Sequence, residues 1–247
     1  MNRISLPETH STNDLLREKI RYEKLPEGTV LSTDFQTKGK GQVGNTWESE
    51  AGKNLLFSLV LYPEYIETEK QFIISQIVSL AIKNTLELYT SDICIKWPND
   101  IYWKDKKIAG ILIENSLQKG KIQFCIIGIG LNVNQIEFKS DAPNPISLAQ
   151  ITGHEYHREN ILLQITSEIK KLYAELNVDK IHTAYLMSLY RKHGWHSFRT
   201  ENETFEAQIA AIKPDGMLEL KLKDKTVRGF YFKEVEFVIT TKHIKED

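Results

Sequence analysis

A chain of 247 residues, 41% apolar and 26% charged, has the make-up of a soluble globular protein large enough to bury a sizeable core. Its formal net charge of -1 excludes a global basic field for nucleic acid, and no stretch approaches the roughly 20 apolar residues of a membrane-spanning helix. The N-terminus lacks the apolar run of a secretion signal, so a cytoplasmic location is expected, and the only two cysteines, Cys94 and Cys125, read as buried inert thiols inside apolar runs.

No internal repeat or low-complexity tract is visible. Ser11-Thr12-Asn13-Asp14 ahead of Leu15-Leu16 predicts the capped start of a short helix, and residues 29–36 a strand. A Gly- and Lys-rich loop follows from residue 37 to about 53, and 54–62 is apolar enough for a central strand. Thr68-Glu69-Lys70-Gln71 has capping-box spacing, and Ile73, Ile77, Leu80, Ala81 and Leu86 extend helical periodicity to about Tyr89. Strands are expected at 93–97, 108–115 and 123–133, with a tight hairpin turn at Asp105-Lys106. Ile161, Ile165, Ile169, Leu172 and Leu176 mark another amphipathic helix, and 183–192 a shorter one. Beyond His193-Gly194 the short alternating runs 205–212, 217–222 and 235–239, parted by Pro214-Asp215-Gly216 and Asp224-Lys225, predict a small all-β barrel.

Three segments carry candidate chemistry. In Gln36-Thr37-Lys38-Gly39-Lys40-Gly41-Gln42-Val43-Gly44-Asn45-Thr46-Trp47, three glycines let the backbone approach a ligand and turn N–H groups toward an anion, with Lys38 and Lys40 adding charge. The segment is neither a Walker loop nor a Rossmann fingerprint; a nucleotide or acyl-phosphate site of another type fits it, and so does a plain solvated loop. With Val43 its single aliphatic side chain, 37–45 has little to offset ordering costs of about 1–2 kcal/mol per residue, so ordering over a ligand is expected.

The second segment is Lys96-Trp97-Pro98-Asn99-Asp100, followed by Lys107-Ile108-Ala109-Gly110-Ile111-Leu112-Ile113-Glu114. Pro-Asn-Asp ordinarily makes a turn. Lys107, ahead of an uncharged run, places its amine either at the mouth of a core or on a solvated strand end. In the third, Gly128-Ile129-Gly130-Leu131-Asn132-Val133-Asn134, glycines inside an apolar strand suggest a bulge or a close approach, and a buried Asn132 needs a ligand edge or a neighbouring loop as partner. His154-Glu155-Tyr156-His157 lacks metalloprotease spacing, and no metal-ligand set can be named.

With Ser11-Thr12-Asn13, these segments closely resemble the biotin protein ligase family, whose pattern is S-T-N, a G-R/K-G-x-x-G-x-x-W loop, K-W-P-N-D, K-x-A-G-I-L-x-E and G-x-G-x-N in that order. The resemblance runs from about residue 9 to 239. It implies an α+β fold: a mixed-sheet catalytic domain of the biotin/lipoyl protein ligase type over 1–192, then a small SH3-like β-barrel over 193–247. It also implies the reaction, in which biotin and ATP give biotinyl-5'-AMP and pyrophosphate and the biotin passes to a lysine of a biotin carrier protein, such as that of acetyl-CoA carboxylase.

By the same resemblance Ser11, Thr12 and Gln36 would hydrogen-bond the ureido ring beside Asn13 and Gly41. Gly39 and Lys40 would hold the valeryl carboxylate, and the Gly110 backbone would close the pocket. Trp47 would cover adenine, Asn99 and Asn132 would read its edge, and Gln42 would lie against the adenylate. Lys107, with Lys40, would neutralise carboxylate and phosphate charge, and Asp100 would orient or deprotonate the incoming amine. Mg²⁺ is expected with ATP, the partner is a carboxylase's carrier domain, and the resemblance leaves room for a homodimer. Two features depart from the family: Gln42 and Asn45 stand where arginines are common, and the S-T-N element at residue 11 leaves no room for a helix-turn-helix domain, so neither specific DNA nor a membrane is expected as partner. The competing readings are a lipoate or octanoyl protein ligase, which shares the catalytic fold, and a non-catalytic biotin or nucleotide sensor.

Overall fold

The computed structural model describes residues 2–42, 45–139 and 144–239. Seven strands form the larger sheet: β1 (Arg3–Thr9), β2 (Val30–Gln36), β3 (Leu55–Leu61), β4 (Ile93–Lys96), β5 (Asp100–Trp103), β6 (Lys106–Gln118) and β7 (Lys121–Leu131). Their order is β1-β2-β3-β7-β6-β5-β4, and only β1 with β2 is parallel, so the sheet is mixed. Five helices accompany them among the described residues: α1 (Thr12–Tyr22), α2 (Phe72–Leu86), α3 (Leu148–Thr152), α4 (Arg158–Glu175) and α5 (Val178–Met187).

Alternation along the strands sorts the two faces. Leu55, Phe57, Leu59 and Leu61 of β3 and Ile127, Ile129 and Leu131 of β7 join the main core, packed with Ile77 of α2 and Ile165 of α4. The opposite face carries a smaller cluster, in which Val60 and Ile126 meet Leu16 of α1. Ser58, Gly128 and Gly130 have the parity of this second face, as does Gly110 on β6, where Ile111 and Ile113 turn to the core. The functional site is built there.

A second sheet follows: β8 (His196–Arg199), β9 (Thr204–Ile212), β10 (Leu218–Leu222), β11 (Val227–Phe230) and β12 (Glu236–Phe237), antiparallel in the order β11-β10-β9-β8-β12. Phe198, Leu220 and Phe237 of this sheet belong to the same buried cluster as Ile95 and Ile77, so apolar packing is continuous between the two sheets. The fold is α+β with a small all-β C-terminal sheet, as expected. No helix among the described residues is long and apolar enough to cross a membrane. Both cysteines are free, Cys125 buried and Cys94 partly so, and burial pushes each thiol up to about 12.

Several expectations need correction. The capping box at Thr68 does not form: the Thr68 hydroxyl donates to the Gly120 carbonyl (2.7 Å), Thr68–Lys70 is one 3-10 turn, and α2 starts at Phe72 without a side-chain cap. The short helix expected over 183–192 is α5, which begins at Val178 because the Asn177 side chain caps it through the Lys180 N–H (3.0 Å). The hairpin turn sits one residue earlier, at Lys104-Asp105, with Trp103 paired to Lys106 and Lys104 at φ 51°. Strand β1, an edge strand containing Pro7, was not anticipated; its Pro and charged residues hide a strand that needs only one partner.

Candidate functional site

Gly110 and Gly130 are cross-strand partners on β6 and β7, and Gly128 pairs with Leu112 further along the same ladder. The indole of Trp47 lies across the first pair. A Cβ on Gly130 would stand 2.4 Å from Trp47 Cε2, and one on Gly110 would stand 2.9 Å from Cζ3. Only hydrogen fits beneath the ring, which is the physical reason for glycine in two otherwise apolar strands. Gly128 answers to a different neighbour, since a Cβ there would meet Asn13 Oδ1 at 2.4 Å. The loop bearing Trp47 is a small hairpin: the Trp47 N–H donates to the Gly39 carbonyl (3.0 Å), the Gly41 N–H to the Asn45 carbonyl (2.9 Å), and Lys40 bridges Thr46. Its tip, Val43-Gly44, within the loop expected to order over a ligand, lies outside the described residues. Trp47 Nε1 and Gln42 Oε1 are buried with no hydrogen-bond partner among the described residues.

The start of α1 supplies the polar half of the site. Ser11 is the helix N-cap, its hydroxyl oxygen accepting the Asp14 N–H at 3.4 Å. The Thr12 N–H donates to Gln36 Oε1 at 2.7 Å. Ser58, fully buried on β3, lies 2.7 Å from Thr12 Oγ1 and 2.5 Å from Asn13 Oδ1. Asn13 Nδ2 in turn donates to Glu114 on β6 at 2.6 Å, and Arg17 holds the other Glu114 oxygen at 2.9 Å. Ser58 is absent from the candidates that the sequence offers, and Glu114 stands among them only as the last residue of the K-x-A-G-I-L-x-E motif, without a role. The signal for Ser58 was there to read: it is the one polar side chain in the apolar strand Leu55–Leu61.

The charged half comes from the β5–β6 hairpin. Lys107 Nζ sits 2.7 Å from Asp100 Oδ1 and 5.7 Å from the centre of the Trp47 ring. Asp100 is the register partner of Gly110, which brings Lys107, Asp100, Gly110 and Trp47 to one place. The amine is therefore at the mouth of a built site rather than on an open strand end. Other candidates are engaged differently. Lys40 forms an ion pair with Asp14 (2.6 Å) and is half-exposed. Asn99 gives its Nδ2–H to the Ile111 carbonyl, and its own carbonyl accepts the Ile111 N–H, so it ties the two strands of the hairpin together. Asn132 is buried and donates to the Ile146 carbonyl (3.1 Å) in the neighbouring loop, which leaves its Oδ1 a buried acceptor with no partner among the described residues.

Lys96 and Trp97, from the same motif, face the second sheet instead. Trp97 Nε1 donates to the Gly216 carbonyl at 2.9 Å in a buried bond. Lys96 Nζ lies between the rings of Tyr102 (5.4 Å) and Phe237 (5.2 Å), and burial lowers its pKa below the usual lysine value.

The chain as a whole has counterparts among known proteins. The sequence model of the biotin/lipoate A/B protein ligase family matches residues 5–132. The bifunctional ligase/repressor BirA of Bacillus spizizenii is 29% identical over 242 residues, 92% of this chain and 71% of that protein. Biotin–protein ligase 1, chloroplastic, of Arabidopsis thaliana is 35% identical over 167 residues, 62% of this chain and 44% of that protein. Among solved structures, the biotin protein ligase from Aquifex aeolicus in complex with biotin and ATP superposes with a TM-score of 0.80 at 25% identity, covering 97% of this chain and 99% of that one. A glycine slot under Trp47, a polar group at the start of α1 and a match across half the chain agree: this chain belongs to the biotin/lipoate A/B protein ligase family.

Proposed function

We propose that the chain is a biotin protein ligase, which condenses biotin with ATP to biotinyl-5'-AMP and pyrophosphate, then acylates a lysine of a biotin carrier protein. One observation carries the choice of acid within the family: Thr12 and Gln36, backed by the buried Ser58, present hydrogen-bonding atoms where the acyl ring would lie. Biotin's ureido ring offers N–H and C=O groups to such a site, whereas the dithiolane of lipoate would leave them desolvated and unpaired, a cost of about 1–3 kcal/mol each.

In the first step a biotin carboxylate oxygen attacks the α-phosphorus and pyrophosphate leaves. Two anions must be held together for this, which is positioning and charge neutralisation rather than covalent work by the protein. Lys107 stands against the glycine slot and is the cation placed to do so. Lys40 and the backbone N–H of Gly39 would meet the carboxylate once the amine leaves Asp14. Trp47 would offer its ring to adenine, and the orphaned Oδ1 of Asn132 would accept from a base N–H. Asn99, tied to Ile111, would keep the hairpin in shape rather than read the base. Mg²⁺ would enter on the phosphates of ATP, where it commonly keeps few protein ligands.

In the second step the carrier lysine amine attacks the acyl carbon, AMP leaves, and the amine's proton must be taken up. Asp100, paired with Lys107, is the carboxylate at hand. The test is to incubate the purified chain and a carboxylase carrier domain with biotin, ATP and Mg²⁺: one lysine of the carrier should gain a biotin amide only when biotin, ATP and Mg²⁺ are all present. Labelling by lipoate in place of biotin would overturn the assignment.

A further inference from the structure

The protons of the polar group at the start of α1 can be placed one by one, given that a bonded O–H···O contact is about 2.7–2.8 Å long and an amide oxygen carries no hydrogen. Glu114 fixes the Asn13 amide: its carboxylate accepts from Nδ2 at 2.6 Å, so Oδ1 must point to Ser58. Ser58 has a single proton, and the 2.5 Å contact with Asn13 Oδ1 uses it. The remaining 2.7 Å contact between Ser58 and Thr12 therefore needs the proton of Thr12. Thr12 Oγ1 is left with lone pairs only. With its proton spent on Ser58, its 3.1 Å contact with Gln36 holds no hydrogen, and the Thr12 N–H, bonded at 2.7 Å, fixes the Gln36 oxygen Oε1 on that side. That orientation of Gln36 leaves its Nε2 as a donor.

From this order of protons we infer that Glu114, acting through Asn13 and Ser58, is a positioning residue that locks Thr12 as a hydrogen-bond acceptor, and that the lock selects a ligand ring bearing an N–H beside a C=O. The inference rests on the proposed function, because it assigns the polarity of the same acyl-ring subsite. It adds a specificity mechanism: Glu114 and Ser58, linked through Asn13, decide which way the hydrogen bonds of Thr12 run. Arg17 supports the same arrangement by pairing with the other Glu114 oxygen, Oε1, at 2.9 Å, which leaves Oε2 to Asn13. The strand places these groups without adjustment, since Ser58 and its register partner Gly128 lie directly beneath Asn13 and only glycine leaves room for the amide.

The experiment is biotin-dependent ATP–pyrophosphate exchange with Ser58→Ala, Thr12→Val and the double variant. Losing one buried hydrogen bond should raise KM for biotin about tenfold in Ser58→Ala, while kcat and KM for ATP stay within about twofold. In the Thr12→Val background Ser58→Ala should add nothing, since its effect passes through Thr12. Glu114→Leu, a change outside the fully buried strand, should reproduce the KM effect and serves if Ser58→Ala fails to fold. Biotin-driven exchange with an unchanged biotin KM in both Ser58→Ala and Glu114→Leu would overturn the inference alone. So would losses that multiply in the double variant, or a fall confined to kcat or melting temperature. Wild-type protein whose exchange biotin does not drive would overturn the functional reading and the inference with it.

Discussion

Lys107 and Lys96 come from one stretch of chain and are held in opposite ways. Lys107 is one-third exposed and paired with Asp100, so its ion pair contributes little to stability and its charge remains open to a ligand. A charged hydrogen bond is worth roughly 1.5–3 kcal/mol, and about 1.4 kcal/mol is tenfold, so Lys107→Ala should slow adenylation on the order of ten- to a hundredfold. Its melting temperature should match the wild type; an unchanged rate would show the amine to be only a solvated charge. Lys96 is partly buried, and desolvation first, then Lys107 and Arg191, disfavour its ammonium against support from Asp100 and Glu236. Its folded pKa lies below the usual value of 10.5, so between the two the unfolded chain holds the extra proton and stability rises with pH. Below that window the penalty is fully present. Lys96→Met should accordingly melt higher than wild type near pH 7 and lack part of the wild-type gain toward pH 10, compared in parallel thermal melts. A variant that melts lower with the same slope would mean the ring contacts outweigh burial. The Lys-Trp pair was legible as a motif, but not the direction of its side chains: one sequence pattern sends Asp100 into the site and Trp97 away from it, and strand alternation after a turn cannot be counted through Pro98.

At the scale of elements, the glycine slot joins β6, β7 and the Gly/Lys loop. Gly130→Ala would put a methyl group 2.4 Å from the Trp47 ring and should destabilise the protein by about 1–3 kcal/mol. Trp47→Ala should remove that penalty, so Gly130→Ala in its background should be nearly neutral in denaturant melts. Additive effects would show that the glycine serves the strand and not the ring. Periodicity revealed the strands that cross the core and the long helices α2 and α4, because burial on one face imposes a repeat. The elements it missed, β1, α3, β5, β8 and β11, are short or lie at sheet edges, where one face or one partner suffices or the repeat is too brief to register. The capping box at Thr68 failed for a related reason: the spacing was present, but a backbone carbonyl from the β6–β7 turn offered Thr68 a better-placed acceptor than its own helix. Ser58 escaped because a single hydroxyl in an apolar run reads as tolerated rather than required, until Thr12 and Asn13 are seen on either side of it.

For the whole molecule, the proposed division into 1–192 and 193–247 separates two sheets that nevertheless share one buried apolar cluster, with the Trp97–Gly216 hydrogen bond crossing the boundary. Trp97→Phe keeps most of the ring but leaves the Gly216 carbonyl without its donor, and should cost about 1–3 kcal/mol. Continuous packing predicts that calorimetry sees one transition, lowered in the variant; two separated transitions in the wild type would show units that fold apart. The same boundary bears on activity, since the residues before Asp100 hold the second sheet while Asp100 and Lys107 hold the site. Assignment of the chain as a biotin ligase rests on the reaction that this site performs. Isotope exchange between pyrophosphate and ATP, measured on the purified chain with Mg²⁺, should be driven by biotin and not by lipoate, and should fall in Lys107→Ala. Exchange driven by lipoate, or no exchange with biotin while the protein binds both substrates, would contradict it.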